Sequence, residues 1–305
     1  MVRSRGDKFF FLTLLPFALS LLVILVVSIL VITDNSIEAL RAYGLTLFTS
    51  SIWNPEHGVY GVLGPILGTI ATSMISTITA LVLSIPLAIT ISEYLRGVAK
   101  KIVSSIVEFF GGIPTIVFAV WASDYLVPFL RGYVMEPLHY SLSFIPLFSC
   151  KPVTGFSIFA AGVALGVSTI PYVASLVLEA YEVIPVTYRE ACYGIGATRY
   201  EAIKIQLSLA RPAIVATLIL GFARALGETT IVATTIGNSV YLTPCIFAPG
   251  STVSALVASQ FANAFLYPYA ESVLYASMLV VALISMALSL YGSTTIIKWR
   301  SRIVV

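Results

Sequence analysis

The sequence predicts an all-α membrane protein of about six transmembrane helices, and three observations carry that prediction. The 305 residues are 58% hydrophobic and only 10% charged, with a mean hydropathy of +0.98. A soluble domain of this length needs more charge to cover its surface. The apolar residues gather into runs of about 20 or more, the length a helix needs to cross a hydrocarbon core. The 17 Lys and Arg residues crowd beside alternate runs, so the net charge of +3 marks membrane topology and gives no reason to invoke nucleic acid.

Taken in order, residues 1–8 (MVRSRGDK) are basic and precede an apolar run from Phe9 to Ile32. That run is longer than the core of a secretory signal and lacks a small-residue cleavage site, so it reads as a retained first span. Residues 33–65 form a polar connection holding Trp53, Asn54 and Pro55, and its YGVLGP end reads as a turn. A second span follows from about Ile66 to Tyr94. Pro86 lies inside it, which is tolerated where neighbouring helices satisfy the freed carbonyl. The basic loop Arg96 to Lys101 leads into a third span within 102–130, where Gly111, Gly112 and Pro114 predict a break or a close helix contact. Residues 131–155 form a longer connection, and the fourth span runs from about Phe156 to Leu178 around Pro171. The fifth is Pro212 to Gly237. The connection 238–270 contains PGSTVSALVASQFANA, which reads as a short surface helix. The sixth span is about Glu271 to Ile297, closed by Lys298, Arg300 and Arg302.

Orientation follows from the basic residues. With the N-terminus inside, the inner segments hold Arg3, Arg5, Lys8, Arg96, Lys100, Lys101, Arg189, Arg199, Lys204, Arg211, Lys298, Arg300 and Arg302. The outer connections hold only Arg41, Arg131 and Lys151, and Arg224 lies within the membrane. Both termini are therefore expected in the cytoplasm. Cys192 then faces inward while Cys150 and Cys245 face outward. Only the latter two could bond, and sequence does not say whether they meet. No C-x-x-C spacing occurs, and His57 and His139 are far apart, so no metal site is expected.

The stretch Pro185 to Asn238 carries the chemistry. Its first half repeats a helix-start signature, Thr187-Tyr-Arg-Glu190 and Thr198-Arg-Tyr-Glu201. In such a capping box the hydroxyl takes a free amide at the third helical position while the carboxylate reaches back to the cap amide. Gly194 and Gly196 between them suit a helix end and a turn. A short helix, a tight turn and a second helix are expected at the inner surface.

The second half places Arg224 and Glu228 near the middle of a span, where a single Arg costs about 3 kcal/mol on translocon scales. Four residues apart, they share a face of a helix. Either they form an internal ion pair that fixes packing, or their face lines a path for an anion. A guanidinium is the side chain best shaped to fork onto a phosphate-like oxyanion. Thr229, Thr230, Thr234 and Thr235 extend a polar stripe, although such hydroxyls often bond only their own backbone. Glu93 and Glu108 flank the basic loop and read as interfacial, Asp124 sits toward the outer end of the third span, and Glu179, Glu182, Glu190 and Glu201 read as a solvated face.

There is no G-x-x-x-x-G-K-[ST], so the chain has no P-loop of its own, and no Ser/His/Asp set lies at membrane depth. Energy for transport must come from an ion gradient or a separate ATPase. A secondary transporter often shows inverted repeats with matching broken helices, and no such repeat stands out.

Glu190-Ala-Cys-Tyr-Gly-Ile-Gly196 resembles the EAA-x-x-x-G signature of permease subunits of ABC importers, with Cys192 in place of the second Ala. Arg224-Ala-Leu-Gly-Glu228-Thr with Ile236-Gly-Asn238 is similar to the corresponding segment of phosphate importer permeases of the PstC/PstA family. Tyr60–Thr69, Gly112-Ile-Pro114 and Pro249–Ser254 are similar as well, so the likeness extends from about Trp53 to the sixth span. The resemblance implies a type I ABC importer permease fold, one transmembrane permease domain over 1–305. Its parts are an N-terminal span (about 9–32), a core (about 66–297) and a cytoplasmic coupling elbow (about 185–211). It implies no catalysis in this chain. Arg224, Glu228, Thr229 and Asn238 would belong to the phosphate path, and Glu190, Ala191 and Gly196 to coupling with an ATPase. The implied partners are membrane lipid, a PstA-type permease, a PstB-type ATPase pair that binds ATP and Mg, and an external PstS-type phosphate-binding protein. Another oxyanion, such as molybdate or sulfate, is the alternative cargo.

Overall fold

The computed structural model describes the backbone of residues 5–303 and the side chains of residues 10–303. Regular structure among them is helical, apart from a single bridge between Asn54 and Val59. The chain runs through α1 (Arg5–Tyr43), α2 (Leu63–Ile89), which ends in a π-helical turn at Thr90–Tyr94, and α3 (Gly97–Gly111). It continues through α4 (Thr115–Leu142), α5 (Ile158–Glu182), the short α6 (Val186–Gly194) and α7 (Arg199–Leu226). It closes with α8 (Thr230–Thr235), α9 (Val253–Ala264) and α10 (Ala270–Ile303). Five of these helices are long and apolar enough to cross a membrane: α1, α2, α5, α7 and α10. The bent pair α3 and α4, which turns by 89° between Gly111 and Thr115, makes a sixth crossing if counted as one span. Gly112 and Pro114 break the hydrogen-bond ladder at the expected place.

The centre is the pair α2 and α5. Gly162 and Gly166 of α5 let the two backbones approach so closely that a Cβ on either would lie 2.6 Å from the Cβ of Ile75 or Thr79. Thr72, Ser73, Ser76 and Ala80 on α2 and Ala161, Ala164 and Leu165 on α5 are buried. In lipid, tails are as apolar as leucine, so close van der Waals contact between small residues takes over what hydrophobic burial does in water. The Ser84 hydroxyl donates across to the Ile170 carbonyl at 3.2 Å. By contrast, the membrane-crossing window of α1 buries none of its side chains, and this helix meets α10 through its far end, at Ser36 and Ala39.

Four boundaries differ from the sequence expectation. First, α1 continues past Ile32 to Tyr43, because Ser36 and Ala39 give its polar end one small buried stripe while Asp34, Asn35, Glu38 and Arg41 face outward. Second, residues 131–142 are helical, carried on through π-helical turns at Ala122–Leu126 and Arg131–Met135. Third, the fifth span begins at Arg199, with Pro212 inside it, and stops at Leu226 well short of Gly237. The Thr198 cap starts the helix, and the Trp299 indole donates to the Leu209 carbonyl at 2.9 Å beside the proline. Gly227 followed by Thr229 and Thr230 is weak helix sequence, and the helix ends there. Fourth, α9 is less a surface helix than a half-buried one, with Val253, Ala255, Leu256 and Ala264 packed inward.

Cys150 and Cys245 form a disulfide, with Cα atoms 6.1 Å apart. It ties the loop before α5 to the loop after α8. Around it Phe247 packs between Phe148 and Phe159, and Ile246 donates to Leu147 while accepting from Phe159, both at 3.0 Å.

Candidate functional site

Two groups of residues stand out, one at membrane depth and one at the elbow. At membrane depth, Arg224 lies in the last turn of α7 and is exposed on the chain's surface. Its guanidinium sits 5.1 Å from the ring centre of Tyr172 on α5. Tyr172 is ten residues from Glu182, about 15 Å along the helix and so about half the thickness of a hydrocarbon core. The expected shared face with Glu228 does not exist, because α7 has ended before residue 228. Among the described residues Arg224 forms no ion pair, while Glu228 is half-buried in the break and its backbone carbonyl accepts from the Ser254 hydroxyl at 2.9 Å. A cation with no carboxylate partner is therefore held on an aromatic face and presented outward.

The threonine stripe is mostly committed to backbone. Thr234 bonds the carbonyls of Thr230 and Ile231, and Thr235 that of Ile231. Thr229 makes one long contact, 3.5 Å, to the Gly227 carbonyl. Asn238 takes the left-handed conformation (φ 52°) right after Gly237 (φ 88°), and its side-chain amide donates to the Ala233 carbonyl at 2.8 Å. It thereby finishes the C-terminus of α8, a positioning duty for the loop that follows.

At the elbow, α6 and the start of α7 form the expected helix-turn-helix. Thr198 heads α7 with a complete capping box: its hydroxyl accepts from the Glu201 amide at 3.4 Å, and the Glu201 carboxylate accepts from the Thr198 amide at 2.7 Å. Thr187 has no such role, because α6 starts one residue before it and its N-cap is Pro185. Pro185 offers no side-chain oxygen to the first amides of α6, and Thr187, already inside the helix, is out of the cap position. Glu190, Ala191, Gly194, Ile195 and Gly196 are exposed, and Ile195 and Tyr200 are 84% and 74% exposed despite being apolar. Cys192 points inward and is buried. Gly196 turns the chain at φ +83°, a conformation that favours glycine. Ile195 and Tyr200 thus put two exposed apolar side chains at the elbow.

Thr198→Ala is expected to speed hydrogen exchange of the Glu201 amide roughly fivefold at neutral pH. An unchanged rate in the variant would show that the cap does not hold this turn.

The residue that sequence reasoning misplaced is Glu93. Instead of facing the interface it is buried, at the π-helical end of α2. The Tyr181 hydroxyl donates to one of its oxygens at 2.9 Å. The other oxygen lies 3.1 Å from Arg189 on α6 and 3.8 Å from Arg199 on α7. Arg199 also stacks 4.2 Å over the ring of Tyr94. Burial works against the charge of Arg189, but a bond with Tyr193 and then the Glu93 carboxylate outweigh it, and its pKa is raised. The available signal was the acid itself: two elbow arginines need a counter-charge, and Glu93 ends the preceding span. Of the acids read as a solvated face, Glu182 pairs with Lys100 of α3 at 2.6 Å and Glu179 with Arg300 of α10 at 3.7 Å.

Residues 80–302 match the family described as binding-protein-dependent transport system inner membrane component. A probable phosphate transport system permease protein PstC of Methanocaldococcus jannaschii is 41% identical over 273 residues, covering 88% of this chain and 87% of that protein. A phosphate transport system permease protein PstC of Xylella fastidiosa is 34% identical over 265 residues, covering 86% and 82%. Among solved structures, an inward-facing MetNI methionine ABC transporter chain shares the fold, with a TM-score of 0.53 over 81% of this chain and 99% of that one at 18% identity. The exposed elbow, the broken third span and these matches agree. The chain belongs to the family of inner membrane components of binding-protein-dependent transport systems, in its PstC-type branch.

Proposed function

We propose that this chain is the transmembrane subunit of an ATP-driven importer that moves inorganic phosphate across the cell membrane. The observation that carries the proposal is Arg224, exposed at mid-membrane on Tyr172 with no ion-pair partner of its own. A lone guanidinium facing lipid is costly. Facing a second permease across a polar path, it becomes half of an oxyanion site. The names of the PstC relatives support phosphate as that oxyanion. The second permease is of PstA type, and an external PstS-type protein delivers the anion to the side carrying the disulfide. The elbow, with both termini, lies in the cytoplasm and docks on a PstB-type ATPase pair that binds ATP and Mg. Glu190, Ala191 and Gly196 lie on its exposed surface, where they meet that subunit. Glu228 and Thr229, in the break after α7, border the same path.

The test is uptake of labelled phosphate into vesicles holding the complete complex with ATP inside and binding protein outside. ATP-dependent uptake that excess sulfate or molybdate leaves untouched is the expected result. Transport of either competitor in place of phosphate would overturn the phosphate assignment. Uptake driven by an ion gradient without ATP would overturn the ABC mechanism.

A further inference from the structure

Glu93 gathers contacts from three helices at the elbow end of the protein, α5, α6 and α7. Its side chain is 1% exposed at the end of α2. Its carboxylate meets Tyr181 near the end of α5, Arg189 in α6 and Arg199 at the start of α7. The next residue, Tyr94, takes the plane of Arg199 on its ring at 4.2 Å. Residues 93 and 94 thus grip both helices of the elbow, and Tyr181 ties that grip to the span paired with α2. Cys192 of α6 is buried as well, and the chain joins α5 to α6 through Ile184 and Pro185.

The π-helical turn at Thr90–Tyr94 explains why this acid reaches so far inward. The inserted residue rotates the end of α2 relative to a regular helix, and Ile91 and Glu93 are both buried there. A buried carboxylate without compensation is strongly unfavourable; here one oxygen accepts from a phenol, and two guanidinium groups lie 3.1 and 3.8 Å from the other without hydrogen-bonding it, so taking away either partner is costly. Such a cluster is stiff, because displacing either arginine leaves charge uncompensated. A stiff junction passes a push on α6 to α2 and α5 instead of letting the elbow swing loose.

We propose that Glu93 is a positioning residue for transport: it locks the elbow to α2 and α5 so that movement of the elbow becomes movement of the spans. The inference rests on the importer reading for what pushes the elbow, and not on phosphate as the cargo. It touches neither the anion path at Arg224 nor the exposed docking residues of α6.

The experiment uses the complete complex in vesicles, with Glu93→Gln, Glu93→Asp, Arg189→Gln and Arg199→Gln compared to wild type. Two quantities are followed, the phosphate moved per ATP hydrolysed and the hydrogen exchange of amides in 186–198. For Glu93→Gln the transport ratio is expected to drop at least tenfold and the elbow amides to exchange at least tenfold faster, with α2 and α5 amides at wild-type rates. Glu93→Asp should recover part of both, and Arg189→Gln should exceed Arg199→Gln in effect, following 3.1 against 3.8 Å. Wild-type ratio and exchange in Glu93→Gln would overturn the proposal. Loss of assembly, or faster exchange throughout α2 and α5, in all four variants would also overturn it by making the cluster ordinary core. If wild type moves no phosphate but Glu93→Gln still loosens the elbow alone and lowers transport of another oxyanion per ATP, the phosphate reading falls and the lock stands.

Discussion

Arg224→Gln is expected to lower ATP-dependent phosphate uptake by about a hundredfold while the complex still assembles and hydrolyses ATP. About 3 kcal/mol, two decades in rate, matches the loss of one or two charge-assisted hydrogen bonds to an anion. Assembly should survive because Arg224 has no carboxylate partner, so its removal strands no buried charge. Had it paired with Glu228 inside the membrane, the same substitution would leave that acid uncompensated at a cost of about 3–5 kcal/mol and the subunit would fail to fold. Arg224→Lys keeps the charge and loses the fork, so intermediate uptake is expected. Uptake assays alongside size-exclusion analysis separate these cases. Undiminished uptake in Arg224→Gln would remove the residue from the path, and loss of assembly would return it to a structural role.

Cys150→Ser with Cys245→Ser is expected to destabilise the end of the bundle that carries the disulfide by about 2–4 kcal/mol, the usual range for a native disulfide. The two cysteines are 95 residues apart, and a loop of about that length gives up nearly 5 kcal/mol of chain entropy in the simplest treatment. Membrane helices stay helical when their packing is lost, so part of that entropy is already absent and the lower range applies. Thermal unfolding of the purified complex, in wild type and double variant, measures the difference. Equal midpoints would mean that the Phe148, Phe159 and Phe247 packing holds the loops unaided. A reductant that cannot cross membranes should act only from the outer side, which also checks the orientation argued from the basic residues.

The spans, their number and the break after Gly111 were legible because each depends on how a short stretch meets lipid or bonds itself. The capping box at Thr198 was legible for the same reason, since all its partners lie within four residues. Thr187 carries the same four-residue pattern and fails, because Pro185 starts α6 two residues earlier. The end of α1 and the continuity of α7 from the elbow through Pro212 into the span were misread, where polar sequence continues a helix that tertiary contacts support. Ser36 and Ala39 against α10, and Trp299 against Leu209, have no local signature.

The sequence by itself determined a helical membrane protein, its likeness to importer permeases, the elbow between the fourth and fifth spans, and the presence of a cation at membrane depth. Only the tertiary structure decided that Arg224 rests on Tyr172 apart from Glu228, that Glu93 is buried between two elbow arginines, and that Cys150 meets Cys245. The first set follows from solvent preference and hydrogen bonding within a few residues. The second depends on distances between segments far apart in the chain, such as Glu93 and Arg189, which are set by how closely Gly162 and Gly166 let α5 approach α2 and by where α7 stops.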